Sequence, residues 1–511
     1  MLARAYGVTL LGLEAHLVEV EVDVGPGLPG FNLVGLPDAS VQEARERVRT
    51  AIRNSGFEFP ARRITVNLAP ADLRKEGPGL DLAIALALLA ATGQVPAEPL
   101  AEYLLVGELS LEGNLRPVTG VLVVAGTAKE QRWNRPLIVP KPNAAEGALL
   151  GGEVRVLGAT TLAEVAAFLR GETELPAGYA EMPTDGGAPF AGPDLSEVFG
   201  QRLAKRALEI AAAGHHNLLL IGPPGTGKTM LARRLPGLLP PMTLEESLTV
   251  SKIYSVAGLL PPDRPLVTTR PFRSPHHTAS PVSIIGGGRT LRPGEITLAT
   301  HGVLFLDELP EFPRQVLEAL RQPLEERQVT ITRAAGSVVY PADFLLAAAA
   351  NPCPCGRLGS PGKSCQCSER DLRRYRSRLS GPLVDRVDLI VEVPAVDWGE
   401  LKRTGEGPTS AQVRERVTEA RRRQLQRLSP YGLTTNAQME SRHLRRFCSL
   451  SPKAQALLRQ AYQRLGLSLR AHDRLLKVAR TIADLEDSET IQEAHVAEAI
   501  QYRSWDWHHT P

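Results

Sequence analysis

The stretch "LLLIGPPGTGKTML" (218–231) carries the strongest chemical signal in this chain. A run of apolar residues, read as a strand, leads into G-x-x-x-x-G-K-T, and a helical pattern follows, which is the context a phosphate-binding loop requires. The glycines at 222, 225 and 227 let the loop Gly222, Pro223, Pro224, Gly225, Thr226, Gly227, Lys228 and Thr229 wrap so that its N–H groups face phosphate oxygens. Lys228 supplies positive charge to the β- and γ-phosphates, and the Thr229 hydroxyl is a ligand for Mg²⁺. An incidental glycine-rich turn would have no need of the Lys-Thr pair. The expected cofactors are therefore ATP and Mg²⁺.

A second strand, within "GVLFLDEL" (302–309), delivers Asp307 and Glu308 at its carboxyl end, where open α/β sheets bind ligands. Asp307 is expected to hold the Mg²⁺ shell and Glu308 to polarise the attacking water. A third strand in "FLLAAAANP" (344–352) ends at Asn351, either an amide that orients that water or a turn former before Pro352. Arg386, in "GPLVDRVDLIV" (381–391), is placed to reach a neighbouring subunit's γ-phosphate, or else forms a surface ion pair with Asp385 or Asp388. Downstream, "LSLRAHDRLLKVARTIADLED" (467–487) offers Arg470, Arg474 and Arg480, and Arg470, at the helix start, is the first choice for a phosphate sensor, with Arg474 next.

These groups need several elements to position them. The chain has 511 residues, enough for about three domains, and its 43% hydrophobic and 23% charged residues describe a globular protein. Residues 1–170 mix strand and helix signals in an α+β pattern. A period-two strand lies at 16–24, a helix at 38–55 opens at Asp38, a strand lies at 62–68, a buried helix at 80–92 and a hairpin at 110–118. Residues 171–193 are rich in Pro and Gly and read as a linker. From 194 to 395 apolar strands alternate with helices, the pattern of a parallel α/β core. Residues 396–511 are helical, with Pro452 opening one helix and Gly466 closing it. No run reaches the roughly 18 apolar residues of a membrane span, and the first residues lack signal-peptide architecture, so a cytoplasmic protein with no membrane partner is expected.

Four of the five cysteines, Cys353, Cys355, Cys365 and Cys367, fall within fifteen residues. Two C-x-C pairs around a Gly/Pro loop suit a tetrahedral zinc site, with reduced thiols, a disulfide or an iron–sulfur centre as the other readings. The net charge is only +3, so any nucleic-acid contact must come from local clusters. "SERDLRRYRSRLSGP" (368–382), with Arg373 and Arg374, either binds phosphate backbone or is a solvated helix face. "GGGRTLRPG" (286–294) brings Arg289 and Arg292 into a basic, glycine-rich loop, or is a plain surface turn. "RQVTITRAAGSVVY" (327–340), which carries Arg333, alternates around a small-residue turn and reads as a hairpin.

Together, "SPHHT" (274–278), "RPGEITLATHGVLFLDELPEF" (292–312), "GPLVDRVDL" and "LKVARTIADL" (476–485) resemble the ComM/YifB family of magnesium-chelatase-like AAA+ ATPases over nearly the whole chain. The resemblance implies an AAA+ P-loop core, a helical lid and a homo-oligomeric ring, hexameric in that family, which drives DNA branch migration in natural transformation. It also implies that the 327–340 hairpin projects into the ring's pore. The competing expectation is a chelatase-type motor that remodels a partner protein.

The first region is similar to the catalytic domain of Lon proteases, a ribosomal S5 domain 2-like fold. The similarity rests on "KEGPGLDLA" (75–83), "GELSLEGNLRPVTGVLVVAGTAKEQ" (107–131) and "PLIVPKPN" (136–143). In that family the fifth residue of the K-D-G-P-S-A-G loop is the nucleophilic serine; here it is Gly79. The position of the catalytic lysine falls on Val124. Both halves of the dyad are absent, so proteolysis is not expected.

Overall fold

The computed structural model describes residues 2–181, 192–288, 291–333, 336–358, 364–379, 381–396 and 407–503. The expected contact Arg289 lies outside the described residues, and of Arg333 only the backbone is described.

Strands β1 (Leu2–Leu11) and β2 (Glu14–Gly25) pair antiparallel along their whole length, and the inward positions Val18, Val20 and Val22 of β2 are fully buried. Next come β3 (Gly30–Val34), the helix Ala39–Asn54, β4 (Arg63–Ala69) and the helix Asp81–Ala91. Asp38 caps the first helix, accepting the Val41 N–H at 2.8 Å. The second helix is buried at every position, as the unbroken apolar run after Asp81 requires. The chain continues through β5 (Leu104–Leu105), the hairpin β6 (Glu108–Leu109) and β7 (Leu115–Arg116), the helix Val121–Glu130, β8 (Leu137–Pro140) and β9 (Val156–Ala159). The resulting seven-stranded sheet has the order β3-β4-β2-β1-β5-β8-β9.

A buried ion pair ties its helices together. Arg47 donates to both oxygens of Asp81 at 2.8 and 3.0 Å, and Asp81 also accepts the Leu109 N–H at 3.2 Å. With Asp81 almost wholly enclosed, Arg47→Ala leaves an uncompensated buried carboxylate and is expected to cost about 3–5 kcal/mol. Chemical denaturation of the variant, followed by tryptophan fluorescence, checks that figure.

The Pro/Gly-rich stretch after this sheet begins as part of it. Pro176 and Gly178 exchange backbone hydrogen bonds with β9, at 2.9 and 2.8 Å, and Leu175 is buried. The expected linker at 171–193 is therefore anchored over its first residues, and residues 182–191 lie outside the described ones.

The second sheet is all parallel. Its strands are β10 (Leu218–Ile221), β11 (Phe272–Arg273), β14 (Val303–Leu306), β17 (Leu345–Ala350) and β18 (Leu389–Glu392), in the order β11-β14-β17-β10-β18. Between them lie two small antiparallel ladders: β12 (Gly286–Gly287) with β13 (Arg292–Pro293), and β15 (Gln328–Arg333) with β16 (Gly336–Pro341). Alternate residues serve two cores. Leu218, Leu220, Val303, Phe305 and Leu389 face the helix Arg202–Gly214 and the C-terminal helices Ser410–Leu428, Leu469–Leu485 and Glu493–Gln501. Leu219, Ile221, Leu304, Leu306 and Leu346 face the β15–β16 ladder, through Val329, Ile331, Val338 and Tyr340. A parallel sheet covered on both faces needs such continuous apolar strands.

The two sheets are joined by more than the chain. Leu11 and Leu13, beside the β1–β2 turn, pack against the core under β15 and β16. A Cβ at Gly12 would lie 2.1 Å from Val338 Cγ1. The helix Leu244–Ala257 reaches back to the first region, where Ser255 donates to Glu146 and Lys252 lies 3.5 Å from Glu130. The 327–340 hairpin therefore rests on the N-terminal sheet as well as on the α/β core.

Candidate active site

The loop after β10 closes tightly because Gly225 and Gly227 adopt left-handed φ of +81° and +88°, conformations a side chain would oppose. The helix Lys228–Ala232 begins at once, so backbone N–H groups line the space that phosphates take. Lys228 folds over the loop, donating to the Gly222 and Pro223 carbonyls at 2.7 and 2.9 Å and to Asn351 Oδ1 at 3.3 Å. Burial lowers the affinity of its amine for a proton, against Asp307 and Glu308, which raise it. A polyphosphate offers this lysine a stronger partner than two carbonyls.

Thr229 Oγ1 donates to Asp307 Oδ2 at 2.6 Å, so the two expected Mg²⁺ ligands already touch. Hydroxyl and carboxylate oxygens are the hard donors Mg²⁺ takes, and one or two protein oxygens suffice when phosphates and water complete the shell. Glu308 follows in the left-handed region, φ 52°, with its N–H donating to Asp307 Oδ1 at 2.9 Å. That twist separates the two carboxylates, one toward Thr229 and the other toward the loop after β11. There His277 Nδ1 lies 3.4 Å from Glu308 Oε2, and the His276 ring packs against His277, tilted by 32° with centroids 4.1 Å apart. His277 is a functional candidate that motif reading misses, and its only sequence signal is the histidine pair in "SPHHT". As a half-exposed pair it is worth about 1 kcal/mol or less. His277→Ala is thus expected to lower kcat for ATP by no more than about fivefold with KM unchanged, as steady-state phosphate release will show.

Asn351, at the end of β17, stands beside Lys228, and its backbone N–H bonds the buried Tyr375 hydroxyl. Lys228, Thr229, Asp307, Glu308 and Asn351 thus converge at the carboxyl ends of three adjacent strands, β10, β14 and β17.

The arginines do not join them. Arg386 is buried, donates to Glu325 and to the Pro382 carbonyl, and its own carbonyl accepts from Asn217 at 3.0 Å. Its ion pair is with Glu325, rather than with Asp385 or Asp388 as the surface-pair reading expects. Asn217 immediately precedes β10, so Arg386 stands at the opposite end of the sheet from Lys228, roughly 13 Å of strand away. Arg474 is on that side too, 3.5 Å from Asp388, and Arg470 is exposed one helical turn before it. The expected sensor Arg470 is therefore not brought to the chain's own phosphate loop: the C-terminal helices pack on the face of Arg202–Gly214, and this seats the start of Leu469–Leu485 beside the strand N-termini. Arg386, Arg474, Lys477, Arg327, Asp388 and Glu325 line a cavity of about 530 Å³ there. Arg386 Nε and Arg474 Nη1 are buried without a hydrogen-bond partner.

Of the basic stretches, Arg292 is exposed on β13, and the β12–β13 ladder touches β15 and β16 through Ile331, against Gly286, and through the Tyr340 hydroxyl, which donates to the Leu291 carbonyl at 2.8 Å. Arg373 pairs with Glu369 one turn away at 2.8 Å, and Arg374 is exposed on the same helix, Glu369–Arg376. In the first region, an added Cβ at Gly79 would meet Val106 Cγ1 at an ordinary 3.8 Å, so the position has room for a Cβ. Val124 is buried in the same apolar cluster as Val106.

The sheet order, the phosphate loop and the acidic pair at the end of β14 define a P-loop ATPase of the AAA+ type. Family models agree: "Magnesium chelatase, subunit ChlI" matches residues 194–401, "Subunit ChlI of Mg-chelatase" residues 20–143, and "Magnesium chelatase, subunit ChlI C-terminal" residues 407–503. The competence protein ComM of Haemophilus influenzae is 48% identical over 98% of this chain and 97% of its own length. YifB of Escherichia coli is 48% identical over 97% of this chain and 96% of its own. The chain belongs to the ComM/YifB family of magnesium-chelatase-like AAA+ ATPases. A shorter similarity, 39% over 54 residues or 11% of this chain, links it to an archaeal Lon protease of Halobacterium salinarum. ATP and Mg²⁺ are the cofactors this family implies, and among the described residues no helix is long and apolar enough to cross a membrane.

Proposed function

We propose that this chain forms a hexameric ring, by analogy with its family, and is an ATP-driven DNA motor that moves branch points during strand exchange in natural transformation. The observation that carries this reading is full-length similarity to a competence protein, combined with the convergence of Lys228, Thr229, Asp307, Glu308 and Asn351 at the ends of β10, β14 and β17. In this reading Lys228 and the loop N–H groups hold the phosphates, Thr229 and Asp307 hold Mg²⁺, and Glu308 takes the proton of the attacking water, which Asn351 orients.

The site is completed by a neighbour. Arg386 and the lid arginines Arg470 and Arg474 face away from their own phosphate loop, and two buried guanidinium N–H groups there have no partner, a state that an incoming anion relieves. DNA contacts fall to the adjoining ladders carrying Arg292 and Arg333, with Arg373 and Arg374 further along the surface. The N-terminal sheet keeps the Lon-like fold without its dyad. Its contact with Val338 makes it a support for the β15–β16 ladder, in a cytoplasmic machine that is not a protease.

The magnesium-chelatase models favour a second reading, a motor that remodels a partner protein. The deciding experiment measures steady-state ATP turnover alone and with linear duplex, single-stranded and four-way-junction DNA, with Lys228→Ala as the blank. Stimulation greatest with the junction, and lost steeply as salt rises, supports the DNA motor. A Lys228-dependent rate indifferent to every DNA rejects it in favour of a protein substrate.

A further inference from the structure

The four clustered cysteines converge in space. Cys353 Sγ lies 3.4 Å from Cys355 Sγ and 3.7 Å from Cys365 Sγ, Cys355 and Cys365 are 3.7 Å apart, and all four sulfurs including Cys367 fall within 4.8 Å of one another. The cysteines are free, so the disulfide reading does not hold. Four sulfurs at the usual Zn–S length of about 2.3 Å stand about 3.8 Å apart at the corners of a tetrahedron, which is close to the spacing here. Backbone N–H groups also point at the sulfurs: Leu358 donates to Cys353 Sγ at 3.3 Å, and Arg357 and Gln366 to Cys355. Such donors stabilise metal-bound thiolates.

The position of the cluster matters as much as its chemistry. Cys353 is two residues after Asn351, whose side chain touches Lys228, and Cys367 is one residue before Ser368, the cap of the helix Glu369–Arg376. That helix carries Tyr375, whose hydroxyl holds the Asn351 backbone N–H. Between the two cysteine pairs, Gly356 adopts φ +72° with its backbone against the phosphate loop, and a Cβ there would lie 2.7 Å from Pro224 Cδ and Cγ.

We propose that Cys353, Cys355, Cys365 and Cys367 bind one Zn²⁺ as a tetrathiolate, and that this metal-closed loop braces the phosphate loop at Pro224 and holds Asn351 in place. Binding releases the thiol protons to solvent and changes no oxidation state. The metal half of the proposal stands whatever the motor acts on; the bracing half rests on the ATP site described above.

The test begins with the untagged full-length chain, gel-filtered in the presence of a chelator. Elemental analysis is expected to find about one zinc per chain, released on titration with an organomercurial, and the Cys355→Ser/Cys367→Ser variant is expected to hold less than about a tenth of it. Zinc below that level in the unaltered chain, equal zinc in the variant, or iron and sulfide in place of zinc, each overturns the metal site. The brace is read separately with Gly356→Ala. Retained zinc with a KM for ATP raised at least about fivefold supports it, and retained zinc with an unchanged KM overturns it.

Discussion

Replacing Glu308 by Gln is expected to lower ATP turnover by about 10²–10⁴-fold while leaving ATP affinity within about twofold. The amide fills the space of the carboxylate and keeps the left-handed backbone at this position, but it cannot accept a proton from the attacking water. Nothing that binds the nucleotide is altered. Lys228 still faces the loop carbonyls and Asn351, and Thr229 still meets Asp307 at 2.6 Å. The paired measurement is phosphate release at saturating ATP against equilibrium binding of a fluorescent ATP analogue. A variant that turns over within about fivefold of the parent would remove Glu308 from the role of base and turn attention to Asp307. The contrast with His277→Ala is informative: His277 approaches the Glu308 carboxylate from the side, at 3.4 Å and partly in solvent, so its loss is expected to perturb orientation rather than chemistry.

What the sequence reveals of this site depends on how local each requirement is. The phosphate loop is legible because a single backbone turn dictates glycine, lysine and threonine at fixed offsets. Asp307 and Glu308 are legible because they end an apolar run that only a buried strand explains. Strand β1 is fainter, since its first inward positions are the small Ala3 and Ala5, which give little contrast with their neighbours. The partnership of His277 with Glu308 is invisible to pattern, because β11 is only two residues long and thirty residues separate the two side chains. The C-terminal helices show the same limit at larger scale. The start of Leu469–Leu485 can be read from its Ser468 cap, but which end of the sheet it meets is set by the apolar face that packs on Arg202–Gly214. Helix periodicity tells that a face is buried, not against what. The cysteine cluster sits between these cases. Four thiols in one loop suggest a metal, while the contact of Gly356 with Pro224 is a long-range fact that no spacing encodes.

Arg386→Ala is expected to reduce turnover by about 10³–10⁵-fold, and the loss is expected to be borne by a different chain from the one that carries the substitution. Within one chain Arg386 is bonded to Glu325 and Pro382 on the far side of the sheet from Lys228, so removing it leaves the chain's own nucleotide contacts intact. Mixing gives the decisive geometry. Chains with Arg386→Ala hold an intact phosphate loop and no finger, while chains with Lys228→Ala hold a finger and a disabled loop. Each population alone is expected to be inactive. Co-assembled, an Arg386→Ala loop beside a Lys228→Ala finger forms a complete site, and part of the parent's turnover is expected to return. Recovery that rises and falls with the mixing ratio identifies Arg386 as a group acting across the subunit boundary. Mixed assemblies of undiminished size with no recovered turnover would assign Arg386 to holding Glu325 within its own chain. Arg386 Nε is buried without a hydrogen-bond partner in the single chain, so in the proposed ring a neighbour's docked phosphate would supply the acceptor it lacks and would tie hydrolysis to assembly.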